Sequence, residues 1–241
     1  MAGLGAMLVL PLISFKKILL TLLLAFGVVV SSFASWIIYN LPDVSELSSS
    51  LVQPSSSHDL TAHVSELPPY LIQALLAAED REFYDHPGIN LFAIGRAIIV
   101  DLKARRALQG GSTITEQLAK NLLPPQQSEI LQKLREMALA LRLEHNFTKN
   151  RILELYLNRV YFGSGATGIE AAAQRYFQKS ANQVTLYQAA MLIGLLKAPS
   201  RLNPILHAVR ADRRAQSVLQ DMVQARFLTD DQVKLALTEQ R

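Results

Sequence analysis

The apolar positions of the chain follow two different regimes. From 18 to 39 they are almost continuous: ILLTLLLAFGVVVSSFASWIIY carries no charge in 22 residues. At about 1.5 Å per residue, a helix of that length spans a hydrocarbon layer of about 30 Å. Lys16 and Lys17 precede the run, and Trp36 and Tyr39 lie near its far end. This asymmetry places residues 1–17 in the cytoplasm and the aromatic end at the outer interface. A cleaved signal peptide is the competing reading, with Ser32-Phe33-Ala34 as a loose cleavage site. The run exceeds the usual apolar region of about 7–15 residues, so a retained anchor over 18–39 is expected. Residues 40–61 are rich in serine and proline with weak periodicity, and read as a linker.

Beyond that linker the apolar residues recur at helical spacing. The spacing predicts helices over 69–78, 91–107, from 112 or 113 to the Pro124-Pro125 pair, 128–147, 149–160, 168–177, 185–197, about 205–224, and 230–239. Residues 86–88 form a turn, the glycines at 110–111 break the chain, and 163–165 form a loop. In the long helix over 128–147, Ile130, Leu134, Met137 and Leu141 fall on one face and are expected to form its core stripe. Thr113 with Glu116 and Thr229 with Gln232 match the capping-box pattern, and Thr148 is placed to cap the next helix. No alternating pattern of any length occurs. The fold class is therefore all-α, with at most a small hairpin, over a domain at 62–241.

Composition narrows the function. Twenty-four basic residues stand against 20 acidic ones, giving a net charge of +4, and the two signs are interleaved. Only short basic clusters occur, Lys103-Arg105-Arg106 and Arg210-Arg213-Arg214, so no nucleic-acid partner is expected. Anionic lipid headgroups or phosphates suit this distribution better. The absence of cysteine excludes disulfides, thiol nucleophiles and thiolate metal sites.

Four stretches carry candidate chemistry. In AAEDREFYDHPGIN, Glu79 follows an apolar helix, a setting that raises a carboxyl pKa and suits acid–base work; helix-end acids exposed to water are the alternative. In GGSTITEQLAKN, small residues lead into a helix N-terminus that favours anions, while Gln117, Lys120 and Asn121 share a polar face. This is not a phosphate-binding P-loop, because the glycine spacing differs. In EILQKLREMALALRLEH, Lys133 and Glu136 share a second face that continues into Ala140 and Leu143; a surface ion pair between Glu129 and Lys133 is the alternative. In TKNRILELYLNRVYFG, Glu154, Asn158 and Tyr161 share a face that reads as a polar packing seam.

Together and in this order, the stretches resemble the glycosyltransferases of family 51, the peptidoglycan polymerases found alone or as the first domain of bifunctional penicillin-binding proteins. The family's E-D-x-x-F-x-x-H-x-G corresponds to Glu79, Asp80, Phe83, His86 and Gly88, and its G-x-S-T-x-x-Q-Q-x-x-K to residues 110–120. R-K-x-x-E corresponds to Gln132, Lys133 and Glu136, and K-x-x-I-L-x-x-Y-x-N to Lys149, Ile152, Leu153, Tyr156 and Asn158. Arg213-Arg214 with Val218-Leu219, and LLKAPSRLNP over 195–204, also match. The resemblance covers about residues 60–225. Two positions depart from it: Glu116 replaces the first glutamine of the pair, and Gln132 replaces the arginine.

The resemblance implies a lysozyme-like helical domain with a small membrane-facing lobe, in which Ile94, Ile98, Ile99 and Val100 are candidates to dip into the bilayer. It implies lipid II and the growing lipid-linked glycan strand as substrates, a β-1,4 product formed with inversion, and undecaprenyl diphosphate as leaving group. Glu79 is the implied base and Glu136 the second catalytic carboxylate, through a divalent cation such as Mg2+. Ser112, Thr113, Gln117, Lys120 and Lys133 are implied to bind phosphate or sugar. Asp80, Phe83, His86 and Asn158 of the matched motifs, and Asn121 beside Lys120, are further substrate-binding candidates. The implied location is the cytoplasmic (inner) membrane, single-pass, with the catalytic domain outside and division or elongation machinery as protein partners. No room for a transpeptidase is expected after 225. A lysozyme-like muramidase or lytic transglycosylase, and an inactive membrane scaffold, remain the alternatives.

Overall fold

The computed structural model describes residues 15–44, 61–90 and 112–238. Residue contacts divide the chain into two units, Met1–Leu41 and Pro42–Arg241. In the first unit, α1 (Phe15–Tyr39) is one uninterrupted helix. Its stretch Lys17–Tyr39, with a mean hydropathy of 2.3, is long and apolar enough to cross a membrane. The hydroxyls inside it serve themselves: Thr21 donates to the Lys17 carbonyl and Ser31 to that of Gly27. Such bonding one turn back suits a medium without water.

In the second unit, the described helices are α2 (Pro69–Glu79), α3 (Ile114–Leu122), α4 (Glu129–Asn146), α5 (Lys149–Arg159), α6 (Ile169–Phe177), α7 (Leu186–Leu195), α8 (Ala208–Gln224) and α9 (Asp230–Thr238). Between α5 and α6, β1 (Tyr161–Gly163) pairs antiparallel with β2 (Ala166–Thr167), the small hairpin the pattern allowed. Tyr161 therefore lies in a strand, not on the α5 face with Glu154 and Asn158. The helix expected over 91–107, with its four apolar bilayer candidates, lies outside the described residues, as do the linker residues 45–60 and Gly110-Gly111.

The local signals for helix ends act largely as expected. Pro69 opens α2, where a missing N–H costs nothing. The hydroxyls of Ser128 and Thr148 accept from the Leu131 and Arg151 amides and cap α4 and α5. Thr229 and Gln232 form the expected reciprocal cap, and Thr185 with Gln188 forms another. Thr113 caps α3 through the Glu116 amide, but the Glu116 side chain does not complete the box; it turns to Lys133 instead.

Two helical groups make up the core. α2, α7 and α8 pack on one another, as do α3, α4 and α5. In α4 the expected core stripe faces outward: Ile130 is 76 % exposed, Leu134 37 % and Leu141 43 %. The buried face is the neighbouring one, Glu136, Leu139, Ala140 and Leu143. Spacing locates an apolar stripe on a helix but does not say which stripe is covered. Here α3 and α5 cover the face whose small Ala140 and paired carboxylate permit close approach.

Candidate active site

Glu79 ends α2, at the edge of the first helical group, and Gln117 lies on α3 in the second. The Gln117 amide nitrogen donates to Glu79 Oε2 at 2.9 Å. Gln117 Oε1 in turn accepts from the Tyr156 hydroxyl on α5 at 2.7 Å. Tyr156 is fully buried. Its donation orients the amide so that the NH2 faces the carboxylate. Burial raises the Glu79 pKa; the Gln117 bond and the positive charges of Arg214 and Lys197 pull it back toward ionisation, while neighbouring Asp80 pushes it up. The same burial, and the Glu79 charge, hold the Tyr156 hydroxyl protonated well past its ordinary range.

At Arg214, α7 and α8 approach closely. A Cβ on Gly194 would meet Arg214 Cγ at 2.9 Å. The arginine donates to Ser217 Oγ and pairs with Asp221.

A second cluster sits where α3 meets α4. Lys133 donates to Ser112 Oγ at 2.9 Å and to the buried Glu116 carboxylate, and lies 3.6 Å from Glu136 Oε2. Gln132 donates to Glu136 Oε1 at 3.1 Å. Burial raises the Glu116 pKa, opposed by the Lys133 bond and charge and reinforced by the charges of Glu136 and Asp80. Lys120 and Asn121 are exposed on α3. No three Asp, Glu or His side chains converge among the described residues. Glu116 and Glu136, with the Gln132 amide oxygen and the Ser112 hydroxyl, nevertheless form an all-oxygen donor set of the kind hard cations take. Buried Glu116 Oε1 and Gln132 Oε1 have no hydrogen-bond partner among the described residues. This set fits a divalent cation.

The remaining predicted site residues hold the framework. His86 Nε2 lies 3.0 Å from each Asp80 oxygen, and its Nδ1 accepts from the Gly88 amide. Asp80 Oδ2 also accepts from the Ile114 amide, so a carboxylate sits at the N-terminus of α3, where the helix dipole favours it. Thr113 donates to the Gly88 carbonyl. Phe83 is fully buried beneath Lys149, whose Nζ stands 4.4 Å from its ring centre and donates to the His86 carbonyl and to Glu144. Asn158 is committed to a backbone: its side chain accepts from the Ala62 amide and donates to the Ala62 carbonyl, both at 2.8 Å. That agrees with the packing seam read from its helix face. The structure thus brings Glu79 and Gln117 together, and Ser112, Lys133 and Glu136 together. Asp80, Phe83, His86 and Asn158 make the framework contacts described above.

Tyr156, Arg214 and Lys197 were not among the predicted site residues. Tyr156 lies inside a matched motif, and Arg214 and Lys197 lie in two more, which was the available signal. Their convergence on Glu79 joins segments far apart along the chain.

These motifs, in this order and on this helical scaffold, define a glycosyltransferase of the transglycosylase class. The chain belongs to that family: the Transglycosylase family model matches residues 46–223. Its relatives include penicillin-binding protein 1A of Aquifex aeolicus, 38 % identical over 93 % of this chain and 33 % of that one. Penicillin-binding protein 1A of Haemophilus influenzae is 42 % identical over 73 % of this chain and 21 % of its own, and penicillin-binding protein 1B of Vibrio cholerae 42 % over 78 % and 25 %. The chain thus spans a third or less of the length of these relatives. The crystal structure of the Haemophilus influenzae protein aligns over 74 % of this chain and 17 % of its own at 26 % identity, with a TM-score of 0.45.

Proposed function

We propose that this chain polymerises lipid II into β-1,4-linked glycan strands, releasing undecaprenyl diphosphate, from a single anchor in the cytoplasmic membrane with its catalytic domain outside. The observation that carries the reading is the setting of Glu79. It is a half-buried carboxylate with raised proton affinity, oriented by one amide and drawn toward ionisation by two cations. Burial suits it to take up a proton; Gln117, Arg214 and Lys197 favour its ionised form beforehand. That combination suits proton exchange near neutral pH, and the polymerase reading makes Glu79 the base.

Glu79 takes the proton of the acceptor's 4-hydroxyl as that oxygen bonds to the anomeric carbon of the donor sugar. The bond to the diphosphate breaks on the opposite face, and its electrons leave with the diphosphate, so configuration inverts. A departing diphosphate develops negative charge, which pre-positioned cations stabilise. Lys133, held by Ser112 and Glu116 beside the N-terminus of α3, and the exposed Lys120 in the last turn of α3 supply positive charge. Glu116, Gln132 and Glu136 would hold a divalent cation, whose chemistry is to neutralise phosphate oxygens.

The test is polymerisation of labelled lipid II by the full-length chain in detergent with Mg2+, beside Glu79→Gln. The wild type should give long strands. The variant should be slower by a factor of about 10²–10⁴, the ordinary contribution of a general base. Cleavage of purified glycan without lipid II would instead establish the muramidase. No product from either protein in either assay would establish the scaffold.

A further inference from the structure

One ammonium, that of Lys133, faces two carboxylates. Glu116 and Glu136 both face Lys133, and the Glu116 side chain is 0 % exposed. Among the described residues one negative charge is therefore left over in a largely buried cluster, where unpaired charge is costly. Two oxygens in the same cluster, Glu116 Oε1 and Gln132 Oε1, are buried with no donor among the described residues. Buried acceptors without a partner are uncommon and call for an explanation. They belong to the two positions where this chain departs from the family pattern. With glutamine at 116 and arginine at 132, the cluster would carry one net positive charge. With Glu116 and Gln132 it carries one net negative charge and two open acceptors.

We propose that Glu116 and Gln132, the two departures from the family pattern, add ligands beside Glu136 to a divalent-cation site, in which the metal supplies the positive charge that an arginine at 132 would bring. A divalent ion turns one net negative charge into one net positive. Its preference for oxygen donors fits a carboxylate and an amide oxygen, with water completing the shell. Lys133 keeps Glu116 Oε2, so the ammonium and the ion occupy different oxygens of one carboxylate. The consequence for a diphosphate leaving group rests on the polymerase reading; the binding site itself does not.

The experiment uses the full-length chain in detergent without lipid substrate. Mn2+ binding is read by electron paramagnetic resonance, with Mg2+ as competitor. One site per chain is expected, weakened at least about tenfold in Glu116→Gln and in the Glu116→Gln/Gln132→Arg double variant, a loss of about 1.4 kcal/mol. Circular dichroism confirms folding, and Glu116→Gln, which preserves shape, stands alone if the double variant does not fold. In the polymerisation assay, chelation should slow the wild type at least tenfold more than the double variant. A wild type that binds no Mn2+, or binding equal in wild type and Glu116→Gln, overturns the proposal and points to a protonated Glu116 in place of the ion. Mn2+ binding through Glu116 in a chain that polymerises nothing would leave the site standing and remove the polymerase reading.

Discussion

Replacing Tyr156 by phenylalanine tests whether Glu79, Gln117 and Tyr156 act as one unit. The substitution removes a hydroxyl from a fully buried ring and leaves the shape intact. It deprives Gln117 Oε1 of its 2.7 Å donor. An acceptor left unsatisfied costs about 1–3 kcal/mol, and Gln117 is only half-buried, so the lower part of that range, about 1–2 kcal/mol, applies. At about 2–4 °C per kcal/mol for a domain of this size, thermal unfolding should move down by about 2–8 °C. Gln117→Leu breaks the same bond from the other side. In the double variant the two losses should overlap, with a coupling of at least about 0.5 kcal/mol. The amide of Gln117, no longer held by the tyrosine, also bonds Glu79 less well. That bond lowers the Glu79 pKa, so weakening it should shift the acid limb of the polymerisation rate to higher pH. Unfolding energies that add within about 0.3 kcal/mol, together with an unmoved acid limb, would refute the idea that Tyr156 acts through Gln117 on Glu79.

Three further outcomes follow from other contacts. The pKa of Glu79 is raised by burial, so the stability this group contributes is present below its unfolded pKa and lost as pH rises through the folded one; Glu79→Gln should unfold at a higher temperature than wild type at neutral pH, with the gap closing on acidification. Gly88 has φ +95, and a Cβ there would lie 2.7 Å from Glu144 Cγ and 3.0 Å from the Ala140 carbonyl; Gly88→Ala should lose about 1–3 kcal/mol by thermal unfolding and weaken the Thr113 cap that its carbonyl accepts. Asn158→Asp keeps the acceptor for the Ala62 amide but loses the donor to its carbonyl; a cost of about 1–2 kcal/mol is expected, with faster amide exchange around residue 62 than around α5 read by mass spectrometry.

Most helices could be read from the chain because their ends carry local instructions. Ser128, Thr148 and Thr229 sit beside the amides they cap, so three or four residues contain the whole signal. The orientation of α4 could not be read that way. Two apolar stripes run along it, and only contacts with α3 and α5, which lie outside the helix itself, decide that Ile130 faces out and Leu143 in. The same limit applies to the site. Glu79 and Lys133 could be picked out by type and motif. That Phe83 lies under Lys149 and that the charge of Arg214 acts on Glu79 depend on pairings no local window contains.

The two hydrogen bonds between Asn158 and Ala62 have a mechanical meaning. A stretch of chain under load strains the points that fasten it. Within the second unit, residue 62 is fastened by this two-bond clasp on α5, the helix that also carries Tyr156. Strain arriving at residue 62 is therefore taken up by α5 before it reaches α2 and Glu79.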